Sequence, residues 1–160
     1  MNKEIQQIIN DQIQSELQSA YDYLAMSAYF EEQSLGGFAH WMKKQWEEET
    51  EHAMKFYHHL LARNEHVELK ALKQPESSFT SPLDIFRKAL GQEQKITVLI
   101  HDMYERAIED KDYPLQQLLN WFIEEQVEEE DSTRRIIDQL EMIGDSRSGL
   151  FLLDKEMGER

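Results

Sequence analysis

The sequence predicts an all-α protein: one four-helix bundle with a long crossover between helices 2 and 3, followed by a short fifth helix. Three observations lead there. Glycine and proline fall mainly at the ends of long uninterrupted segments. Those segments carry their inward-facing residues at steps of three and four. One connection is much longer than the others. The expected helices are about 3–34, 38–64, 82–111, 114–143 and 147–157, all within a single domain spanning residues 1–160.

The first segment contains neither glycine nor proline. Ile9, Ile13, Leu17, Ala20, Leu24 and Ala28 cover one side, and Tyr21, Ala25 and Tyr29 widen it. An apolar face that broad predicts burial against a second subunit as well as against the bundle. Gly36-Gly37 is read as the break. In the second segment Phe38, Met42, Gln45, Glu49, His52 and Phe56 share one face. The third opens on Ser81-Pro82-Leu83-Asp84, with serine at the N-cap, proline in the first turn and an acid three residues after the cap. Its inward residues are Phe86, Leu90, Glu93, Thr97, Ile100 and Tyr104. The fourth starts at Pro114, ends at Gly144, and aligns Leu115, Leu119, Phe122, Gln126, Glu129, Thr133, Ile136 and Leu140. Leu150 to Leu153 supply the apolar run of the fifth, a second hint of assembly.

The long helices would measure about 40–48 Å at 1.5 Å per residue. Short turns make helices 1 and 2, and helices 3 and 4, antiparallel hairpins. Between the hairpins lie the 17 residues Asn64 to Thr80. Extended, they reach about 56 Å, enough to run the full length of the bundle.

Composition excludes several function classes. There is no cysteine, so disulfides, thiolate metal sites and thiol catalysis are out. No apolar run approaches the roughly 18 residues of a membrane span, and the polar start shows no signal peptide. The expected location is the cytoplasm. The formal charge is −15, from 32 acidic and 17 basic residues. Such a surface repels nucleic acid and concentrates cations.

The chemistry lies in a repeated spacing. Glu49 and His52 follow Glu16 by 33 and 36 residues, and Gln126 and Glu129 follow Glu93 by the same 33 and 36. Each hairpin therefore presents a lone glutamate on its first helix and a pair at i, i+3 on its second. Counted from the turns, all six stand at one height. Four carboxylates crowded into an apolar bundle cannot all stay ionised unless cations enter. Two divalent metals balance them, and an oxygen-rich set with one imidazole suits Fe(II), Mn(II) or Zn(II). Glu49, at the centre, is the expected bridge.

At these residues the sequence resembles the prokaryotic non-haem ferritins. Gly37-Phe38-Ala39-His40-Trp41-Met42 and Glu48-Glu49-Thr50-Glu51-His52-Ala53 resemble their second helix. Leu119-Asn120-Trp121-Phe122 through Glu125-Gln126-Val127-Glu128-Glu129-Glu130 resembles their fourth. The resemblance extends over nearly the whole chain. It implies iron storage and a ferroxidase centre in which Glu16, Glu49 and His52 hold one iron and Glu49, Glu93 and Glu129 the other. Gln126 completes the metal set by hydrogen-bonding nearby, and Tyr23 stands beside the centre as a catalytic residue. Glu48, Glu125 and Glu128, sharing Glu129, match a third iron site. It further implies O2 or H2O2 as oxidant and a hollow homo-oligomer of 24 subunits.

Related readings stay open at this stage. Bacterioferritins repeat Glu-x-x-His on both hairpins and bind haem through a methionine just after the first motif glutamate. Here Thr50 takes that place and the second motif is Gln126-x-x-Glu129, so no haem is expected. A di-iron oxidase or oxygenase of the same fold would need a pocket for an organic substrate. A bundle with a buried polar network and no metal is the reading from outside this class.

Overall fold

The computed structural model describes residues 1–160. The chain forms α1 (Lys3–Glu32), α2 (Gly36–Ala62), α3 (Pro82–Glu109), α4 (Tyr113–Ile143) and α5 (Arg147–Met157), with no strand. Helices α1 and α2 make one antiparallel hairpin and α3 and α4 the other. They meet along α1 and α3, and α5 packs on α2 and α4. No helix is long and apolar enough to cross a membrane.

The helix ends follow their capping chemistry. Asn2, Ser81, Asp112 and Ser146 each accept a bond from a backbone N–H in the first turn of the helix they precede. Arg63 donates to both oxygens of Asp112, at 2.8 Å each, and so ties the end of α2 to the start of α4. Gly144, at φ 53°, closes α4 in the left-handed region that favours glycine.

The first turn differs from its sequence reading. The break is not Gly36-Gly37 but Gln33 to Leu35, with Ser34 at φ 59°. Both glycines are the opening residues of α2. Gly37 is needed for packing: a Cβ there would lie 1.6 Å from the backbone oxygen of Asp154 in α5. That close approach lets the Asp154 carboxylate accept the Phe38 N–H at 2.9 Å, which caps α2 from another helix.

The broad apolar face of α1 also resolves into two. Ile5, Ile9, Ile13, Ala20, Tyr23, Met26 and Phe30 are buried. Tyr21, Leu24 and Ala28 are exposed, so the stripe drawn through Leu24 and Ala28 drifts off the core. The reason is geometric. Steps of four overshoot a 3.6-residue turn, and the core follows alternating threes and fours instead. The outer stripe remains available for the subunit contact the sequence suggests.

The crossover runs alongside α1, held by a polar ladder. Asn10 donates to the His66 carbonyl and accepts from the Glu68 N–H. Gln14 donates to the Ala71 carbonyl. Gln18 donates to the Lys73 carbonyl and accepts from the Lys73 N–H. Residues four apart on α1 thus satisfy backbone that has no secondary structure of its own.

The apolar core is in two parts. One, around Phe30, Phe38, Phe86 and Leu140, fills one end of the bundle. The other, around Ile9, Phe56, Ile100 and Leu119, fills the opposite end. A buried polar layer separates them.

Candidate metal centre

Each residue of the layer arrives on a core-facing stripe. Glu16, Glu49 and Glu93 are fully buried, and His52, Gln126 and Glu129 nearly so. A glutamate is almost never buried in this way without a partner. The four carboxylates come from four different helices, so the crowding is tertiary and no helix carries it alone.

The ligand-type atoms gather into groups the size of a metal shell. Glu16, Glu49 and His52 offer atoms all within 4.8 Å of one another, and so do Glu49, Glu93 and Glu129. Glu49 belongs to both groups, as expected of a bridge. His52 Nδ1 lies 3.5 Å from Glu49 and 4.0 Å from Glu16. Its Nε2 faces the other way, 3.8 Å from Glu125. The rings of Trp121 and Phe122 stand edge-on to the imidazole at 5.4 and 5.6 Å and hold its plane.

Hydrogen bonding is uneven. The Tyr23 hydroxyl donates to Glu93 Oε1 at 2.6 Å, and Gln126 Nε2 donates to Glu93 Oε2 at 3.2 Å. Gln45 Nε2 donates to Glu129 Oε2 at 2.8 Å, and Gln12 Nε2 to Glu16 Oε1 at 2.9 Å. Both oxygens of Glu49, Glu16 Oε2, His52 Nδ1 and Gln126 Oε1 are buried with no partner. Orphaned buried acceptors are costly, and those of Glu16, Glu49 and His52 lie within one metal-sized group. A cation there would satisfy them together, so the residues fit a pair of divalent metals.

The acids titrate accordingly. Burial pushes Glu49 well above the usual carboxylate range, and the charges of Glu93 and Glu16 push it further. Burial raises Glu129 to about 9, with the Glu93 charge adding. Glu93 is raised to about 7, again by burial, held back by its bond from Tyr23. The Tyr23 phenol, buried against these acids, is raised well above its ordinary value.

Such a paired-carboxylate centre inside a crossover bundle points to one family. A profile described as a ferritin-like domain matches residues 6–143. The chain belongs to the ferritin-like family. A bacterial non-heme ferritin of Staphylococcus aureus (strain USA300) is 39% identical over 160 residues, covering 100% of this chain and 96% of the relative. One from Staphylococcus haemolyticus (strain JCSC1435) matches to the same extent. Among solved structures, an open pore ferritin from the hyperthermophilic archaeon Archaeoglobus fulgidus superposes with a TM-score of 0.99 at 39% identity, covering 100% of this chain and 99% of that one.

Within this ferritin-like chain the remaining sequence candidates are placed as follows. Glu125 is half-buried and forms a third metal-sized group with His52 and Glu129. Glu48 and Glu128 line the cavity beside it but do not join that group. Thr50, in the haem-methionine position, bonds back to the Trp46 carbonyl at 2.8 Å. Gln12 and Gln45 escaped the sequence reading as functional residues. A signal was there: they are 33 residues apart, as Glu16 and Glu49 are, each four before its glutamate. The corresponding positions of the second hairpin are Ala89 and Phe122, so a glutamine four residues before the glutamate occurs only in the first.

Proposed function

We propose that this chain stores iron, oxidising Fe(II) at the buried centre and delivering Fe(III) to a mineral inside a hollow assembly. The observation that carries the proposal is Glu49, whose two buried and unpartnered oxygens belong to both metal-sized groups. Glu16, Glu49 and His52 hold one Fe(II); Glu49, Glu93 and Glu129 hold the other. Gln126 and Tyr23 are hydrogen-bonding neighbours of Glu93 rather than ligands.

Four carboxylates offset the charge of two Fe(II) and keep them close enough to give one electron each to O2 or peroxide. Binding requires that Glu49, Glu93 and Glu129 release their protons, so uptake of the substrate expels them. Tyr23 orients Glu93, and the Trp121 and Phe122 edges hold His52. The half-buried Glu125 receives iron on the way out, with Glu48 and Glu128 beyond it as the rest of a third site. The relatives named ferritins support an iron-handling assembly. A 24-subunit shell, a cytoplasmic location, and the absence of haem, nucleic acid and membrane partners complete the reading.

Metal analysis of aerobically Fe(II)-loaded protein, with its size in solution, tests this. Hundreds of irons per large particle is the expected result. About two irons per chain in a small species would indicate an oxygenase. No retained iron would leave a structural bundle.

A further inference from the structure

Outside the six central residues, one side chain reaches the layer from an unexpected direction. Arg160 follows α5 and folds back over α2. Its Nη1 donates to the Trp41 carbonyl at 3.2 Å, and its Nη2 donates to Gln45 Oε1 at 2.5 Å. The same Nη2 pairs with Glu48 Oε1 at 2.9 Å. The guanidinium lies 4.6 Å from the centre of the Trp41 ring. Backbone acceptor, amide acceptor, carboxylate and aromatic face together make a built seat for a planar cation.

The seat borders a cavity of about 190 Å³ that also exposes Glu125, Glu128, Glu129 and Ser132. Gln45 links the two. Arginine can only donate, so Gln45 must turn its oxygen to Arg160 and its NH2 to Glu129. Glu48, by contrast, is missing from the metal-sized group formed by His52, Glu125 and Glu129.

We propose that Arg160 is a positioning residue, a tethered cation that holds Glu48 away from the acid cluster beside the metal pair, so that a third metal ion must displace it. The inference rests on the reading of the central pair as a metal site and adds a control on what leaves it. A fixed positive charge lining the same cavity as Glu125 and Glu129 repels an incoming cation, and the Glu48 pairing removes one of its ligands. Once Arg160 swings out, Glu48 is freed and the repulsion falls together.

The test uses the full chain with its central pair first filled by two equivalents of Zn(II). Tb(III), an oxygen-seeking cation, is then titrated and read by tryptophan-sensitised luminescence, with Trp41 as the near donor. Arg160→Gln is expected to tighten Tb(III) binding about tenfold, and Arg160→Lys, which keeps the charge, to stay within about threefold of the parent. Adding Glu48→Gln to Arg160→Gln should abolish the gain. Equal affinity in the parent and Arg160→Gln would overturn the proposal. So would equal tightening by Arg160→Gln and Arg160→Lys, because the charge would then be irrelevant. Failure to take up two Zn(II) would overturn the reading of the pair, and this proposal with it, before any Tb(III) is added.

Discussion

The two hairpins supply matching ligand positions but prepare them differently. In the second, Glu93 accepts bonds on both oxygens and Glu129 accepts one from Gln45. In the first, Glu49 has no partner, Glu16 has one oxygen bonded, and His52 Nδ1 has none. The α3–α4 half is held in place by protein, whereas the α1–α2 half lacks bonds that metal would provide. Geometry on one side is thus preorganised, and on the other it depends on occupancy.

The largest effect should come from the least supported residue. Glu49→Ala removes an atom from both metal groups, and initial Fe(II) oxidation should fall by at least about 100-fold in stopped-flow absorbance. Glu129→Ala removes a ligand from only one of the two central groups, the other loss falling on the third group beside them. Anaerobic Co(II) titration should then leave about one tight site, against none in Glu49→Ala. Equal loss in the two variants would erase the distinction between the halves.

Acidity tests the layer without mutation, since buried acids of both halves are raised. Glu93 and Glu129 keep their protons in the folded metal-free chain up to about 7 and about 9, whereas an ordinary glutamate releases its proton near 4.5. A raised folded value means the folded state binds more protons than the unfolded state. The stability these two groups contribute is therefore full below about 4.5 and is lost as pH rises through about 7 toward about 9. Each proton so held changes stability by up to about 1.4 kcal/mol per pH unit. Calorimetry with a chelator present should show Tm falling across that window. Zn(II) should flatten the slope or reverse it, because metal binds the deprotonated site and stabilises the folded chain. A metal-free Tm that rises across the same window would mean the acids are ionised and paired in a way the geometry does not show.

Much of this was legible in the sequence, for a physical reason. Repeated 33 and 36 spacings and helical phase are local properties, and they bring all six central residues into one layer. Legibility ended where partners come from distant chain segments. Ser34 marks the first turn by a backbone angle that no residue pattern announced, and Gly37 mattered only through Asp154, more than a hundred residues away. The polar ladder of Asn10, Gln14 and Gln18 takes its role from backbone 55 to 58 residues further along the chain. Gln45 and Arg160 became meaningful only once α4 and the tail after α5 converged on α2.

A smaller effect follows at the supported half. Tyr23→Phe removes the bond to Glu93 Oε1 and leaves the ring in the core. Metal affinity at the Glu93 side should weaken about tenfold, with thermal stability nearly unchanged. A fall in initial Fe(II) oxidation as large as that of Glu49→Ala, at saturating iron, would assign the tyrosine a part in electron transfer as well as in orientation.

The smallest effect should lie at Gln12, the only hydrogen-bond donor to the Glu16 carboxylate. Gln12→Leu keeps the volume and removes the donor. One neutral bond contributes about 0.5–1.5 kcal/mol, which corresponds to about two- to tenfold in metal affinity. The change should be confined to the first of two Co(II) binding steps if the α1–α2 half fills on its own. A metal already held between Glu16, Glu49 and His52 fixes Glu16 by itself, so oxidation at saturating Fe(II) should keep its parental rate. If saturating iron fails to restore that rate, Gln12 orients Glu16 during the reaction, and the first half is less dependent on metal for its geometry than its unpartnered atoms imply.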